Sequence, residues 1–434
     1  MRKSKIITSA VVFVALLVSI CAFTSVLNNY KEQNKNTIKS LQLVKSLGKS
    51  NFTIKDYENI LNTYESLNDT AICGELSSKI IYEKAVTPVL VNENYLSYNN
   101  FSVEGEGITK EMIKNNSRTA VVGRTFAKKH FYGKTAIGKT FKLDGVRYRV
   151  TGIYDDKNDK LNNLFKDGKE RIYINYSAFE NYENLKIDTI SCIDNTVTSR
   201  QFYYIGIDNF NRVDFDERNM AVNDFTALIS FVLTVIISIY LLRLWIYSLG
   251  STGRFLKSSH SKNYLLPMIR HNLPSLILRL LIFLALPVGI FFLFILCFRN
   301  FHIVYNYIDT ENLFSVSHML DTLGSVIGKE HTMLFGGNTY FTNLYNGTLL
   351  ILLGITPVIL ILFFFFYYLF CSISRESQVA GFIVTAVFAV VTIIALIYCI
   401  ITGLSYALFE IIALITGVLI LKSIKEYVIK KNKN

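Results

Sequence analysis

The sequence contains few residues that form covalent or metal-bound cross-links. Its 434 residues include six cysteines and six histidines, with no CxxC pair and no Cys/His cluster. A disulfide framework and a metal site are therefore not expected. Four cysteines lie in or beside apolar runs, where a thiol packs as a small hydrophobe. Cys73 and Cys192 lie in a long polar segment, and two interpretations remain open for them: two separate buried thiols, or one disulfide outside the cell.

Charged residues are also scarce, at 18% of the chain, whereas hydrophobic residues make up 51% and aromatic residues 14%. The mean hydropathy is +0.33. This composition excludes an ordinary cytosolic protein, a disordered chain and a collagen-like chain, and it indicates a membrane protein. The net charge of +12 comes from short basic segments beside apolar runs. The positive net charge therefore reflects the membrane topology, and no nucleic-acid partner is needed to explain it.

Six apolar runs are long enough to cross a bilayer as helices. They are residues 6–27, 225–247, 274–298, 347–371, 379–402 and 404–421. The first run has no convincing cleavage site before Asn28, so we expect an uncleaved anchor rather than a signal peptide. The last two runs are almost contiguous, so a single long span is the alternative to a tight helical hairpin.

Basic residues near the ends of short loops indicate the cytoplasmic side of a membrane protein. They are concentrated at the N-terminus, in residues 248–273 and in the tail 422–434. These three segments alternate correctly with six spans, which favours the hairpin and predicts that both termini are cytoplasmic. Residues 28–222 and the loop 299–346 are then expected outside.

The outer segment has the size of one domain and is inserted between the first and second spans. Its first part, Tyr30–Lys49, has apolar residues at spacings of three and is predicted to continue the first span as a helical stalk. Thr53 and Asp56 have the spacing of a capping box, which predicts a helix that begins at Thr53. Two alternating strands are joined around Asp144 and Gly145. Strands and helices mixed without a βαβ rhythm predict an α+β fold.

Residues Gly133–Thr140 match the phosphate-loop pattern GxxxxGK[ST]. Such a loop binds phosphate only between a strand and a following helix. Here a segment predicted to be helical precedes the motif and an alternating strand follows it. No nucleotide site is therefore expected at this position.

Several segments of the outer domain resemble a known family. Residues Ala120–Gly133, Ala136–Phe141, Tyr148–Ile153 and Arg171–Asn175 are similar to the MacB-like periplasmic core domain of macrolide-exporter-type ABC transporter permeases. The resemblance implies a permease in a bacterial cell membrane that couples ATP hydrolysis by a separate cytosolic ATPase to movement of its outer domain. It also implies export or removal of peptides, lipids or antimicrobial compounds, with no enzymatic activity and no cofactor in this chain.

Three kinds of partner follow from the same resemblance. They are a cytosolic ABC ATPase subunit, a second permease chain of the same or a related kind, and an extracytoplasmic adaptor or substrate protein. Family members usually have four spans, so the runs 379–402 and 404–421 are additional. The alternative function is a membrane sensor or scaffold whose outer domain binds a ligand or an envelope enzyme.

The segment after the second run is similar to the family's cytoplasmic coupling segment. Its residues are Leu249, Gly250, Ser251, Thr252, Gly253, Arg254, Phe255 and Leu256. A short basic helix at the membrane face can dock in a groove of an ATPase. The alternative is a basic loop that only sets topology.

Arg279 and Glu410 are the ionisable residues well inside the predicted spans. Such residues are candidates for function because a charge in the bilayer is costly. The position of Arg279 near the cytoplasmic edge also fits a side chain that snorkels towards the interface. Glu410 lies deeper.

Overall fold

The structure is a computed structural model that describes residues 2–34, 40–45, 52–63, 69–82, 84–99, 101–131, 136–155, 164, 168–193, 210–260, 265–299, 315, 317–318, 320–321, 324, 340–402 and 406–431. The chain divides into two compact units. One unit contains Met1–Asn29, Ala221–Val304 and Ile351–Asn434. The other contains Tyr30–Met220 and Tyr305–Leu350.

The described helices are numbered in chain order. They are α1 (Arg2–Asn34), α2 (Ile54–Thr63), α3 (Tyr95–Tyr98), α4 (Lys110–Lys114), α5 (Arg124–Phe131), α6 (Phe215–His260), α7 (Leu265–Arg299), α8 (Tyr340–Glu376), α9 (Gln378–Thr402) and α10 (Ala407–Lys431). The long helices α1 and α6 to α10 carry the apolar runs, and the short helices α2 to α5 belong to the outer domain.

Within the described residues, five helices are long and apolar enough to cross a membrane. They are Lys5–Gln33, Arg218–Lys257, Thr342–Glu376, Gln378–Thr402 and Ala407–Glu426. The predicted span 274–298 lies in α7, whose described apolar stretch is the shorter Arg279–Ile295. The chain is therefore a membrane protein with several spans, and the count of six remains a prediction. Most of the predicted outer loop 299–346 lies outside the described residues.

The two C-terminal apolar runs form separate antiparallel helices. Near one end of the pair, Gln378 Nε2 of α9 donates to the backbone oxygen of Glu426 on α10 at 3.4 Å. Further along, the hydroxyl oxygens of Thr392 and Thr416 lie 2.8 Å apart. Both helices have 25 residues, so the alternative of one long span is wrong. The turn between them lies outside the described residues.

Helix α6 extends well beyond the predicted span 225–247. It continues without a break for 46 residues from Phe215 to His260 and contains no proline. The two glycines of the predicted coupling segment cost roughly 1 kcal/mol each in a helix interior, which does not end a helix of this length. The predicted segment 248–273 therefore begins as a continuation of α6 rather than as a separate short helix.

The outer domain contains one mixed sheet. Its described strands are β1 (Ser40–Lys45), β2 (Thr70–Glu75), β3 (Lys79–Ile81), β4 (Lys84–Val91), β5 (Ser102–Gly105), β6 (Thr119–Gly123), β7 (Thr140–Leu143), β8 (Val146–Asp155), β9 (Glu170–Asn175), β10 (Thr189–Ile193) and β11 (Phe210–Asp214). The order is β11-β1-β10-β2-β4-β9-β6-β8-β5, with β3 paired to β4 and β7 paired to β8. Short helices accompany the sheet, as an α+β fold requires.

The predicted helical stalk is partly wrong. Helix α1 continues only to Asn34, and Ser40–Lys45 forms β1, which pairs with both β10 and β11. Ser40 and Gln42 also alternate with Leu41 and Leu43, so the same short sequence satisfies a strand pattern. Pairing on both sides of β1 decides between the two local patterns.

Two local predictions for the outer domain are confirmed. Thr53 and Asp56 form a capping box in front of α2, because Asp56 Oδ2 accepts from the Thr53 backbone N–H at 2.9 Å and Thr53 Oγ1 accepts from the Asp56 N–H at 3.3 Å. The strands β7 and β8 turn at Asp144 and Gly145, with φ angles of 48° and 82°. Positive φ at both positions fits a tight hairpin turn.

Candidate functional site

The phosphate-loop-like sequence has the wrong structural order for a nucleotide site. Helix α5 ends at Phe131 before it, and β7 begins at Thr140 after it. Lys139 Nζ donates to the Phe131 carbonyl oxygen at 3.2 Å and lies 5.9 Å from the centre of the Phe131 ring. This lysine therefore links the end of α5 to the start of β7. Residues 132–135 lie outside the described residues.

The predicted coupling residues occupy the C-terminal part of α6. Leu249 and Leu256 are 43% and 41% exposed, and Gly250, Gly253 and Arg254 are also exposed. The Thr252 hydroxyl donates to the Ser248 carbonyl at 2.8 Å within the helix. Two apolar side chains are therefore left uncovered by the rest of the described chain, beside a basic residue at this end of α6.

Phe255 and Ser251 are half-buried and contact α7. The guanidinium of Arg279 lies 4.6 Å from the centre of the Phe255 ring, and Arg279 Nη1 donates to Ser251 Oγ at 3.0 Å. One level away, Trp245 stacks on Phe283 at 5.5 Å. The contacts of Arg279 thus hold two of the predicted coupling residues, Ser251 and Phe255, against α7.

Glu410 contacts a different helix. Its Oε1 accepts from Ser230 Oγ of α6 at 2.7 Å. Arg279 and Glu410 therefore have separate partners and do not pair with each other. A hydroxyl donor reduces the cost of keeping a carboxyl group at this depth.

The ends of α1, α8, α9 and α10 form a polar network that the sequence reading missed. Lys5 Nζ of α1 lies 2.7 Å from Glu376 Oε1 and donates to Ser372 Oγ at 3.1 Å on α8. On α10, Lys422 Nζ lies 2.8 Å from Glu426 Oε1, and their side chains are only 8% and 12% exposed. The i,i+4 spacing of Lys422 and Glu426 is a signal that was available in the sequence.

The two outer cysteines are not bonded in this fold. Cys73 pairs across the sheet with Thr189, whereas Cys192 pairs with Thr70. An offset of three residues along neighbouring strands separates them by about 10 Å, beyond the roughly 7 Å that a disulfide spans between Cα atoms. Cys73 is a buried free thiol, so the disulfide interpretation is wrong. Burial raises the pKa of Cys73 to about 12, which keeps the thiol protonated and unreactive.

In the part of the chain that the structure describes, no group of three or more His, Cys, Asp or Glu side chains is arranged to hold a metal ion. The candidate site is the region around the predicted coupling segment. It consists of the exposed end of α6, the arginine of α7 that packs against it and the polar network at the helix ends.

Comparisons with known proteins find similarity to one domain family and to several solved structures. Residues 6–202 match the family described as the MacB-like periplasmic core domain. One similar solved structure is the periplasmic region of MacB from Actinobacillus actinomycetemcomitans, with 15% identity, a TM-score of 0.35, and coverage of 43% of this chain and 94% of that one. No curated protein matches the sequence.

Two further solved structures are similar. The extracellular domain of the noncanonic ABC-type transporter YknZ from Gram-positive bacteria has 15% identity, a TM-score of 0.29, and coverage of 38% of this chain and 88% of that one. A domain of a putative permease from Porphyromonas gingivalis has 12% identity, a TM-score of 0.29, and coverage of 41% and 91%.

Proposed function

We propose that this chain, an ABC-transporter-type permease that carries a MacB-like periplasmic core domain, is the membrane subunit of a complex driven by a separate cytosolic ATPase. Its own role is to transmit ATP-driven movement to the outer domain. The complex exports or removes peptides, lipids or antimicrobial compounds. A second permease chain completes it, because this chain holds one copy of the pattern.

The continuity of α6 is the observation that carries this proposal. The helix begins at Phe215, directly after the last strand β11 ends at Asp214, and it continues to His260. At 1.5 Å per residue, 46 residues give a rod about 70 Å long. A continuous helix resists bending far more than a jointed connection. This continuity supports a role for α6 in transmitting movement from the Leu249–Leu256 segment along the helix.

Leu249 and Leu256 are the residues proposed to contact the ATPase. Their exposure leaves apolar area available for a groove on a partner. Phe255 is a weaker choice than the sequence indicates, since Arg279 already covers its ring. Arg254 is exposed and acts as a rim charge, which influences the rate of association more than the affinity.

The test is co-purification of the ATPase from native membranes in mild detergent. Leu256→Asp places a charge against the apolar groove proposed for the ATPase. The amount of ATPase that co-purifies with the variant is therefore expected to fall at least tenfold. Leu164→Asp is the matched control, because Leu164 is 54% exposed in the outer domain. Failure of any ATPase to co-purify with the wild type, or full retention by Leu256→Asp, would contradict the proposal.

The orientation is part of the same proposal, with both termini in the cytoplasm of a bacterial cell. Single cysteines at Asn34, Lys257 and Lys431 in a cysteine-free background test it with a membrane-impermeant maleimide. Labelling of intact cells is expected at position 34 and not at 257 or 431. Labelling at 431 from outside would contradict the assigned path of the C-terminal hairpin.

A further inference from the structure

One face of the β7–β8 hairpin carries three cations and no acid. Lys142 lies directly opposite Arg147, and Arg149 lies opposite Thr140. All three basic side chains are exposed. The alternate residues of the same strands point the other way and are buried, namely Phe141, Leu143, Tyr148 and Val150. We call Lys142, Arg147 and Arg149 the basic hairpin face.

These cations have no compensating partners among the described residues. No ion pair or side-chain hydrogen bond involves any of the three in the ranges that the structure describes. The acid at the turn of the hairpin is already engaged, since Asp144 pairs with Lys79 at 3.0 Å. Glu104 and Asp155 both pair with Arg124, each at 3.1 Å. The charge of the face is therefore available to another molecule.

This arrangement reduces stability. Like charges directly opposite each other on an antiparallel pair repel, and an acid at either position would be favourable instead. Positions that break a local folding rule without compensation are concentrated where function requires them. The face is thus better explained by binding than by folding.

Protection of a sheet edge explains only part of the pattern. A lysine on an outer strand discourages pairing with other chains, and Lys142 on β7 fits that role. Arg147 and Arg149 lie on β8, which pairs with β5, β6 and β7. Edge protection therefore does not account for the two arginines.

The spacing of the cations indicates the shape of the ligand. Arg147 and Arg149 are two residues apart on one strand, so they share a face at intervals of about 6.8 Å. An extended peptide with acidic residues at alternate positions has the same repeat. A guanidinium also binds a carboxylate in a two-pronged geometry.

We propose that the basic hairpin face docks an extended acidic segment of a partner protein, with carboxylates at alternate positions. The buried apolar face of the hairpin holds its two strands in place. The binding surface is therefore already ordered, and little conformational entropy of this chain is lost on binding. This inference goes beyond the proposed function, because it concerns the outer domain and requires no ATPase.

The test uses the full chain in nanodiscs of zwitterionic lipid. The probe is a fluorescent peptide with four Thr-Glu repeats, and binding is measured by anisotropy at low and at physiological salt. The triple variant Lys142→Gln, Arg147→Gln, Arg149→Gln is expected to bind at least tenfold more weakly. The control replaces three exposed lysines outside this face, Lys55, Lys114 and Lys128, by glutamine and is expected to bind like the wild type.

A second peptide separates spacing from charge alone. It has the same composition but four adjacent glutamates, and it is expected to bind severalfold more weakly than the alternating peptide. The thermal transition of the triple variant should equal or exceed that of the wild type, because its loss of binding does not come from misfolding. Equal binding of the two peptides, or wild-type affinity in the triple variant, overturns the proposal. Binding of polyphosphate or of phosphatidylglycerol nanodiscs that depends on Arg147 and is tighter than binding of the alternating peptide also overturns the proposal, because it would make phosphate the ligand of this face.

Discussion

The ion pair between Lys422 and Glu426 gives the sharpest test of how the helices are held together. With side chains 8% and 12% exposed, neither charge has ready access to water. Glu426 Oε2 also accepts from Ser374 Oγ on α8 at 3.5 Å. Glu426→Gln keeps the shape of the side chain and leaves the Lys422 ammonium without its counter-charge.

The expected cost follows from the burial. Removing one partner of a buried pair costs about 3–5 kcal/mol, because the remaining charge is left uncompensated. Lys422 has a flexible stem that can turn towards the interface, which lowers the estimate to about 2–3 kcal/mol. At roughly 2–4 °C per kcal/mol for a unit of about 200 residues, the melting temperature should fall by about 5–10 °C.

The assay is thermal unfolding of the purified full chain in detergent, followed by size-exclusion chromatography. Glu376→Gln is the matched control, because its partner Lys5 and Glu376 itself are 31% and 43% exposed. A pair this exposed is worth at most about 1 kcal/mol. The double variant Lys422→Met, Glu426→Met removes both charges and should recover most of the lost stability.

Two results would refute this reasoning. The first is a Glu426→Gln transition within about 2 °C of the wild type, which would mean that water already solvates the pair. The second is a double variant whose loss equals the sum of its single losses, because independent losses would show no coupling between the two charges.

Further predictions concern the outer domain. Gly74→Ala should cost roughly 1–3 kcal/mol in a thermal melt, because its Cβ would overlap the Lys186 carbonyl oxygen. Gly107→Ala is the control and should melt like the wild type, because its Cβ would meet only Leu96 at 4.0 Å. Lys142→Glu should stabilise the hairpin by roughly 0.2–1 kcal/mol in a thermal melt and abolish binding of the alternating peptide; a lower melting temperature would contradict the repulsion argument. In a variant that retains only Cys73, the thiol should resist maleimide in the folded protein. Because burial raises the pKa of Cys73 from 9.0 to about 12, its contribution to stability is complete below pH 9 and is lost between pH 9 and about 12; rapid labelling at pH 8 would contradict this. Lys139→Ala should leave ATPase activity of the complex unchanged, and labelling of Lys139 by an ATP analogue would overturn that expectation.

The features that the sequence predicted correctly depend on neighbouring residues. The turn at Asp144 and Gly145 requires two residues that tolerate positive φ, and the capping box at Thr53 requires an acceptor three residues later. Long apolar helices need only composition and length. In each case the deciding partners lie within a few residues of one another, so no knowledge of the fold was needed.

The features that the sequence did not predict depend on distant partners. Ser40–Lys45 has a spacing compatible with a helix or a strand, and only its pairing with β10 and β11 decides for the strand. The basic residues of β7 and β8 are visible in the sequence, but only the fold shows that Asp144 at their turn pairs with Lys79. Lys422 and Glu426 belong to the segment 422–434 that the sequence predicts as a basic cytoplasmic tail, and only the fold shows that their side chains are buried.

The C-terminal hairpin is best understood as a structural part of the permease rather than as an appendage. Helix α10 contacts α6 at three levels in parallel order: Glu410 with Ser230 at 2.7 Å, Gly417 beside Ile237, and Lys425 over the Tyr240 ring at 5.7 Å. The middle contact is close because a Cβ added at Gly417 would already lie 3.5 Å from the Ile237 side chain. The Glu410–Ser230 and Lys425–Tyr240 contacts are both polar, and sliding α6 along α10 would break the two at the same time. We therefore expect a movement of α6 to carry the hairpin with it, which would make the two added helices part of the element that the ATPase is proposed to drive.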